Sequence, residues 1–144
     1  MAPAAGYSHR SLTAKLGFKD GMAVAFIALP SELADEAASA DFALVERFAD
    51  WSGFTGKHAV YDAAHAFTRE RAEIEDHLET IQGAIRRDGM IWVSWPKKAS
   101  KVPTDVTEDV IRAEALKLDL VDVKVAAVSE VWSGLKLMIR KDRR

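Results

Sequence analysis

The sequence contains no cysteine, which excludes a disulfide framework, a thiolate metal site and a cysteine nucleophile. Net charge is also small, at -2, whereas proteins that coat nucleic acid carry a strong positive excess on one face. Apolar runs stay well below the roughly 18 residues of a membrane span, and the start of the chain lacks the pattern of a secretory signal. We therefore expect a cytoplasmic protein that does not enter membranes and does not bind nucleic acid broadly.

Glycine is missing where a nucleotide-binding loop would need it. The first long apolar run, 22–29, is followed by Pro30, Ser31 and Glu32. Proline removes an amide donor and Glu32 repels phosphate, while glycines normally allow the backbone to approach a pyrophosphate. A standard dinucleotide loop or P-loop is therefore not expected. The chain also lacks the Gly-x-Ser-x-Gly turn of serine hydrolases.

The four histidines, His9, His58, His65 and His77, are scattered along the chain without the close pairing that zinc sites favour. No metal site is predicted. His65 has two readings, because a histidine at the end of a strand suits catalysis, whereas a lone histidine is more often a structural hydrogen-bonding residue.

The elements that are present predict a single α/β domain over residues 1–144, with 1–7 fraying. Apolar runs predict strands, and amphipathic runs predict helices. The segment 42–48 fits either a helix or a strand, and we favour a strand. Strands are predicted at 22–29, 42–48, 58–67, 90–95, 121–125 and 135–139, and helices at 8–16, 31–40, about 68–87 and 105–117.

Particular residues predict where these helices begin and end. Ser31 and Thr68 are candidate N-caps, and Asp105 with Glu108 forms a capping-box pattern. The long helix is predicted to end with two basic residues in its last turn and a glycine in a left-handed stop. Its buried stripe is Ile74, Leu78, Ile81 and Ile85, its end is Arg86, Arg87 and Gly89, and the stripe of the next helix is Val106, Val110 and Ala113.

Alternation of strands and helices predicts a three-layer, Rossmann-like fold. Its sheet is mostly parallel and covered on both faces. The last two strands are expected to be antiparallel to each other, with the final one at or near the edge.

The turn after the 90–95 strand is the predicted site, because ligands of open α/β sheets bind outside the carboxyl ends of the strands. Lysines supply positive charge, hydroxyls supply hydrogen bonds, and tryptophans supply flat walls for a small anion. The alternative is a solvated basic loop, because Asp105, Glu108 and Asp109 already occupy the positive helix end. The predicted ligand-binding residues are Trp95, Lys97, Lys98, Ser100, Lys101, Thr104, Asp105 and Trp132.

The segments 92–98, 104–112, 120–125 and 131–136 resemble a bacterial family known as domain of unknown function 3052. This resemblance spans nearly the whole chain and implies a small intracellular bacterial protein without an assigned reaction. It also implies that the turn after the 90–95 strand and the turn at Trp132, Ser133 and Gly134 are important.

The order of elements resembles a shortened class I methyltransferase, and 88–93 is similar to a strand of that fold. The glycine-rich loop that follows the first strand of that fold is absent here, so the resemblance does not establish S-adenosylmethionine binding and the cofactor is left open. The leading expectation is a non-catalytic or vestigial methyltransferase-like domain that binds a small anionic ligand or an acidic group of a partner. The alternatives are an active transferase with an atypical S-adenosylmethionine pocket, and a protein interaction module or homodimer that uses an edge strand or the Trp132 turn.

Overall fold

The computed structural model describes residues 12–55 and 57–144. The predicted fraying of residues 1–7, the first four residues of the predicted helix 8–16, and His9 lie outside that range. The helices are α1 Leu12–Lys15, α2 Arg71–Ala84 and α3 Glu108–Leu116, with 3₁₀ helices at Ser31–Ala38, Lys98–Ser100 and Lys141–Arg143. The strands are β1 Ala23–Ile27, β2 Leu44–Phe48, β3 Tyr61–Phe67, β4 Ile85–Pro96, β5 Leu120–Ala127 and β6 Trp132–Ile139.

The six strands form one sheet in the order β2-β1-β3-β4-β6-β5. Strands β2, β1, β3 and β4 pair in parallel, while β6 is antiparallel to both β4 and β5. This confirms a mostly parallel sheet with its final, antiparallel strand near the edge. The strand predicted at 42–48 is confirmed as β2.

Both faces of the sheet are covered, which gives the predicted three layers. Helices α2 and α3 cover one face, where Ile74, Leu78 and Ile111 are buried against the sheet. Leu16 and Phe18, which follow α1, are buried on the other face. Burial of apolar surface on both faces explains why β1 reads as a continuous apolar run.

The predicted end of the long helix is wrong. Helix α2 stops at Ala84, so Arg86 and Arg87 lie in β4, because parallel pairing of Ile85 with Tyr61 in β3 replaces the last helical turn. Gly89 is not a left-handed stop. A Cβ there would lie 2.9 Å from the Asp62 carbonyl oxygen, so the position requires glycine for close packing of backbone.

The predicted N-caps are also wrong. Ser31 is already the first residue of a 3₁₀ helix, and the Thr68 hydroxyl accepts from the backbone of Glu70, ahead of α2. In α3 the cap is Thr107, which accepts from Val110 N at 3.2 Å. Asp105 instead accepts from Arg71 N at 2.7 Å, at the start of α2. A cap of a neighbouring helix cannot be recognised from local spacing.

The buried stripe of α3 differs from the predicted one. Ile111 and Ala115 are buried, whereas Ala113 is exposed and Val110 is only half-buried. Val106 is buried as predicted, but it lies before the helix. The helix cap lies two residues later than the capping box suggested, and the inward face of α3 is the one that carries Ile111 and Ala115.

Strands β2 and β5 form the two edges of the sheet. On β5, Val123 and Val125 are each about half exposed, at 49% and 48%. An edge strand with exposed apolar side chains is the kind of surface with which a partner strand pairs, and the interaction module or homodimer stays a prediction. Among the described residues, no helix is both long and apolar enough to cross a membrane.

Candidate functional site

The strand order places a topological switch point between β1 and β3, because the chain crosses from β1 to β2 on one side and then returns to β3 on the other. Ligands of open α/β sheets bind at such a point, outside the carboxyl ends of the strands. A cavity of about 340 Å³ lies there. We call it the switch-point crevice, and it is lined by Ala28, Pro30, Ala49, Asp50, Phe67, Thr68, Arg69, Glu70, Glu73 and Trp132.

The turn after β1 is made without glycine. Ala28 adopts a left-handed backbone conformation, with φ at 57°, and its N–H donates to the Phe48 carbonyl at 2.8 Å. This conformation is uncommon for a residue other than glycine, and such strain often marks functional sites. Ala28 therefore adopts, at this turn, a backbone conformation that glycine usually provides.

Asp50 follows β2 on the rim of the crevice and was missed by the sequence analysis. Its Oδ1 accepts from Ser52 Oγ at 2.9 Å and from Gly53 N at 2.7 Å. The bond from Ser52, and then that from Gly53, lowers the pKa of the carboxyl group. In Rossmann-type folds an acid about twenty residues after the first turn binds the ribose hydroxyls. An acid directly after the second apolar strand was the signal that could have identified it.

The crevice carries an excess of negative charge. Three carboxyl groups, of Asp50, Glu70 and Glu73, line it together with one basic side chain, Arg69. Helix α2, whose amino end opens at the crevice, already has Glu73 in its first turn. The site therefore favours a ligand with positive charge over a phosphate.

Aromatic rings and one unsatisfied donor complete the crevice. Phe67 and Trp132 meet edge to face, with ring centroids 5.2 Å apart. The indole Nε1 of Trp132 is buried and has no hydrogen-bond partner among the described residues. A buried donor without a partner is costly, and binding of a ligand acceptor would remove that cost.

Half of the residues predicted as the site line a second cavity, of about 370 Å³. We call it the lysine cavity, and its lining is Trp95, Pro96, Lys98, Lys101, Val102, Pro103, Thr104, Val106 and Thr107. Four predicted residues are therefore brought together: Trp95, Lys98, Lys101 and Thr104. The other four, Lys97, Ser100, Asp105 and Trp132, do not line this cavity, and Trp132 lines the switch-point crevice instead.

Several polar groups of the predicted site hold the turn in shape. Ser100 Oγ donates to the Lys97 carbonyl at 2.6 Å. Thr104 Oγ1 donates to the Arg69 carbonyl at 2.7 Å and accepts from Val106 N at 3.0 Å. Lys98 and Lys101 thus supply the positive charge of the lysine cavity, and Lys101 has a left-handed backbone, with φ at 61°.

His65 is structural in its surroundings. It is fully buried in β3, with Nδ1 2.8 Å from Glu36 Oε2 and Nε2 2.7 Å from Ser94 Oγ. The order Glu36, His65, Ser94 has the pattern of a catalytic triad, but Ser94 is also fully buried and no substrate can reach it. The structural reading of His65 fits this geometry.

Within residues 12–55 and 57–144, no group of three or more histidine or carboxylate side chains is placed to bind a metal ion.

Comparisons with known proteins identify the fold. No protein-family model and no curated protein sequence matches this chain. A solved S-adenosylmethionine-dependent methyltransferase from Aquifex aeolicus is similar, with a TM-score of 0.70 and 13% identity over 90% of this chain and 88% of that chain. Magnesium protoporphyrin IX methyltransferase from Synechocystis, solved with bound S-adenosylmethionine, has a TM-score of 0.61 and 13% identity over 90% of this chain and 74% of that one.

A third similar structure is a Burkholderia thailandensis methyltransferase with bound 1,6-didemethyltoxoflavin and S-adenosylhomocysteine. Its TM-score is 0.56, with 15% identity over 90% of this chain and 75% of that chain. At these identities the likeness shows the fold alone. The predicted class I methyltransferase-like fold is confirmed, while membership of the family of unknown function and a bacterial, cytoplasmic origin stay predictions.

Proposed function

We propose that this chain is a small methyltransferase-like domain that binds S-adenosylmethionine in the switch-point crevice. The observation that carries the proposal is the acid-lined cavity at the switch point, with the Asp50 carboxylate fixed on its rim. S-adenosylmethionine carries a sulfonium, an ammonium group and a ribose diol, which suit carboxylate partners. Of the functions that the sequence leaves open, this proposal corresponds to the transferase with an atypical S-adenosylmethionine pocket.

The lining residues fit this cofactor in their chemistry. Asp50 would accept from the ribose hydroxyls, and Glu70 and Glu73 would attract the cationic groups. Phe67 and Trp132 offer apolar walls to the adenine ring, and the unpaired Trp132 Nε1 offers a donor. When bound, the cofactor supplies an electrophilic methyl group. The residues of this chain bind it, orient it and limit its contact with water.

A second candidate function is binding of a small anion, or of an acidic group of a partner, in the lysine cavity. The observation that favours it is the grouping of Lys98 and Lys101 with Thr104 and the Trp95 ring around one cavity. Because the lysine cavity lies next to the switch-point crevice, an acidic acceptor bound there would sit close to the cofactor. If the protein does not catalyse methyl transfer, anion binding in the lysine cavity corresponds to the non-catalytic or vestigial domain expected from the sequence.

Isothermal titration with S-adenosylmethionine tests the proposal. We expect saturable binding to the wild-type protein and about tenfold or greater weakening in Asp50→Asn, because a hydrogen bond to a charged group contributes about 1.5–3 kcal/mol. Asp76→Asn is the matched control, since Asp76 is exposed on α2 and does not line the crevice. Absence of wild-type binding would refute the proposal, and equal binding by Asp50→Asn would remove Asp50 from the site.

A further inference from the structure

The buried carboxylate of Glu36 is only half satisfied. Glu36 is 4% exposed, and its Oε2 lies 2.8 Å from His65 Nδ1. Its other oxygen, Oε1, is buried and has no hydrogen-bond partner among the described residues. The other ring nitrogen of His65, Nε2, lies 2.7 Å from the Ser94 hydroxyl, so His65 contacts only one of the two Glu36 oxygens.

Glu36 lines a third cavity, of about 230 Å³, which we call the Glu36 cavity. Its other lining residues are Leu12, Glu32, Leu33, Asp35 and Ser39. The charged side chains among them are all acidic, and two leucines add apolar wall. None of these residues lines the switch-point crevice or the lysine cavity, so the Glu36 cavity is a separate site.

We propose that the Glu36 cavity binds an organic cation, an alkylammonium or alkylguanidinium group, whose N–H donates to Glu36 Oε1. The cation would supply the donor that the buried oxygen lacks, and it would neutralise a buried charge. The carboxylates of Glu32 and Asp35 attract the cation to the entrance. Leu12 and Leu33 pack against its alkyl chain. This inference does not depend on the proposed binding of S-adenosylmethionine.

The experiment is an NMR titration of the full chain with butylammonium chloride and butylguanidinium chloride at constant ionic strength, with butanol as the uncharged probe. We expect a charged probe to shift the amide resonances of Glu36 and Leu33 and to bind more tightly than butanol. Glu36→Gln keeps the size of the side chain and is expected to weaken binding by about tenfold or more, since a charge-assisted bond is lost. Asp35→Asn, at the exposed wall, is expected to weaken it less.

Glu79→Gln, an exposed carboxylate of α2 outside the cavity, is the matched control and should bind like the wild type. The inference is overturned if the wild type does not bind a cation more tightly than butanol. It is also overturned if Glu36→Gln, still folded by its dispersed amide spectrum, binds the cation as well as the wild type.

Discussion

The hydroxyl of Thr104 donates a 2.7 Å hydrogen bond to the carbonyl of Arg69. Arg69 lines the switch-point crevice and Thr104 lines the lysine cavity, so this bond joins the walls of two neighbouring cavities. One cavity is mainly acidic and the other is basic. A positively charged cofactor and a negatively charged acceptor would therefore be attracted to adjacent positions.

The lining of the lysine cavity predicts that neighbouring lysines contribute differently to anion binding. Lys98 and Lys101 line it, whereas Lys97 does not. In a thermal-shift titration with inorganic phosphate at low salt, the double variant Lys98→Ala with Lys101→Ala should lose most of the stabilisation seen in the wild type, because the ligand loses its positive partners.

Lys97→Ala is the control for that titration and should retain the stabilisation. If the double variant responds to phosphate as the wild type does, the basic turn is a solvated surface and the anion site is wrong.

Alanine substitutions at two glycines are expected to change the stability of the fold in opposite directions. A Cβ at Gly89 would lie 2.9 Å from the Asp62 carbonyl oxygen and 3.0 Å from that of Arg86, so Gly89→Ala should lower the free energy of unfolding by about 1–3 kcal/mol. A Cβ at Gly83, inside α2, meets nothing within 4 Å. Gly83→Ala should raise the free energy of unfolding by up to about 1 kcal/mol.

Urea unfolding of both variants measures these differences. Equal stability of Gly89→Ala and the wild type would contradict the close packing of β3 and β4 at this position.

The buried carboxylate of Glu114 predicts a pH dependence. Burial alone would raise its pKa, but hydrogen bonds from Lys117 and Arg71, each 3.0 Å long, outweigh burial and lower the pKa below the ordinary value of 4.5. A carboxyl group whose pKa is lowered on folding stabilises the folded state above its unfolded pKa. That contribution is lost as the pH falls through the folded value.

The measurement is the free energy of unfolding of the wild type and of Glu114→Gln between pH 7 and about pH 3. The advantage of the wild type should be constant near neutrality and should shrink below about pH 4.5. An advantage that stays constant or grows on acidification would contradict the ion pairs of Glu114.

The sequence predicts the strands and layers of this fold better than the ends of its helices. Apolar runs identify the strands because burial on both faces leaves no choice of residue type, as in β1. The helix ends are predicted wrongly because long-range contacts determine where each helix begins and ends. Ile85 joins β4 through its pairing with β3, and Asp105 accepts from Arg71 of a different helix.

The site shows the same limit. The lysines after β4 are evident from their spacing, and the structure groups two of them around one cavity. Asp50 and Trp132, from distant parts of the chain, meet only because the strand order places their elements at one crevice. His65 contacts Glu36 and Ser94, each of which is 29 residues away from it in the sequence. No local sequence pattern reveals these contacts.

Tryptophan indole resonances test the central claim most directly, because the four rings report from different places. Trp132 lines the switch-point crevice and Trp95 lines the lysine cavity. The indole N–H groups of Trp51 and Trp92 are buried and donate to backbone carbonyls. In an NMR titration with S-adenosylmethionine, we predict a saturable shift of the Trp132 indole resonance that exceeds those of the other three. A titration that leaves the Trp132 resonance unmoved would contradict cofactor binding in the switch-point crevice.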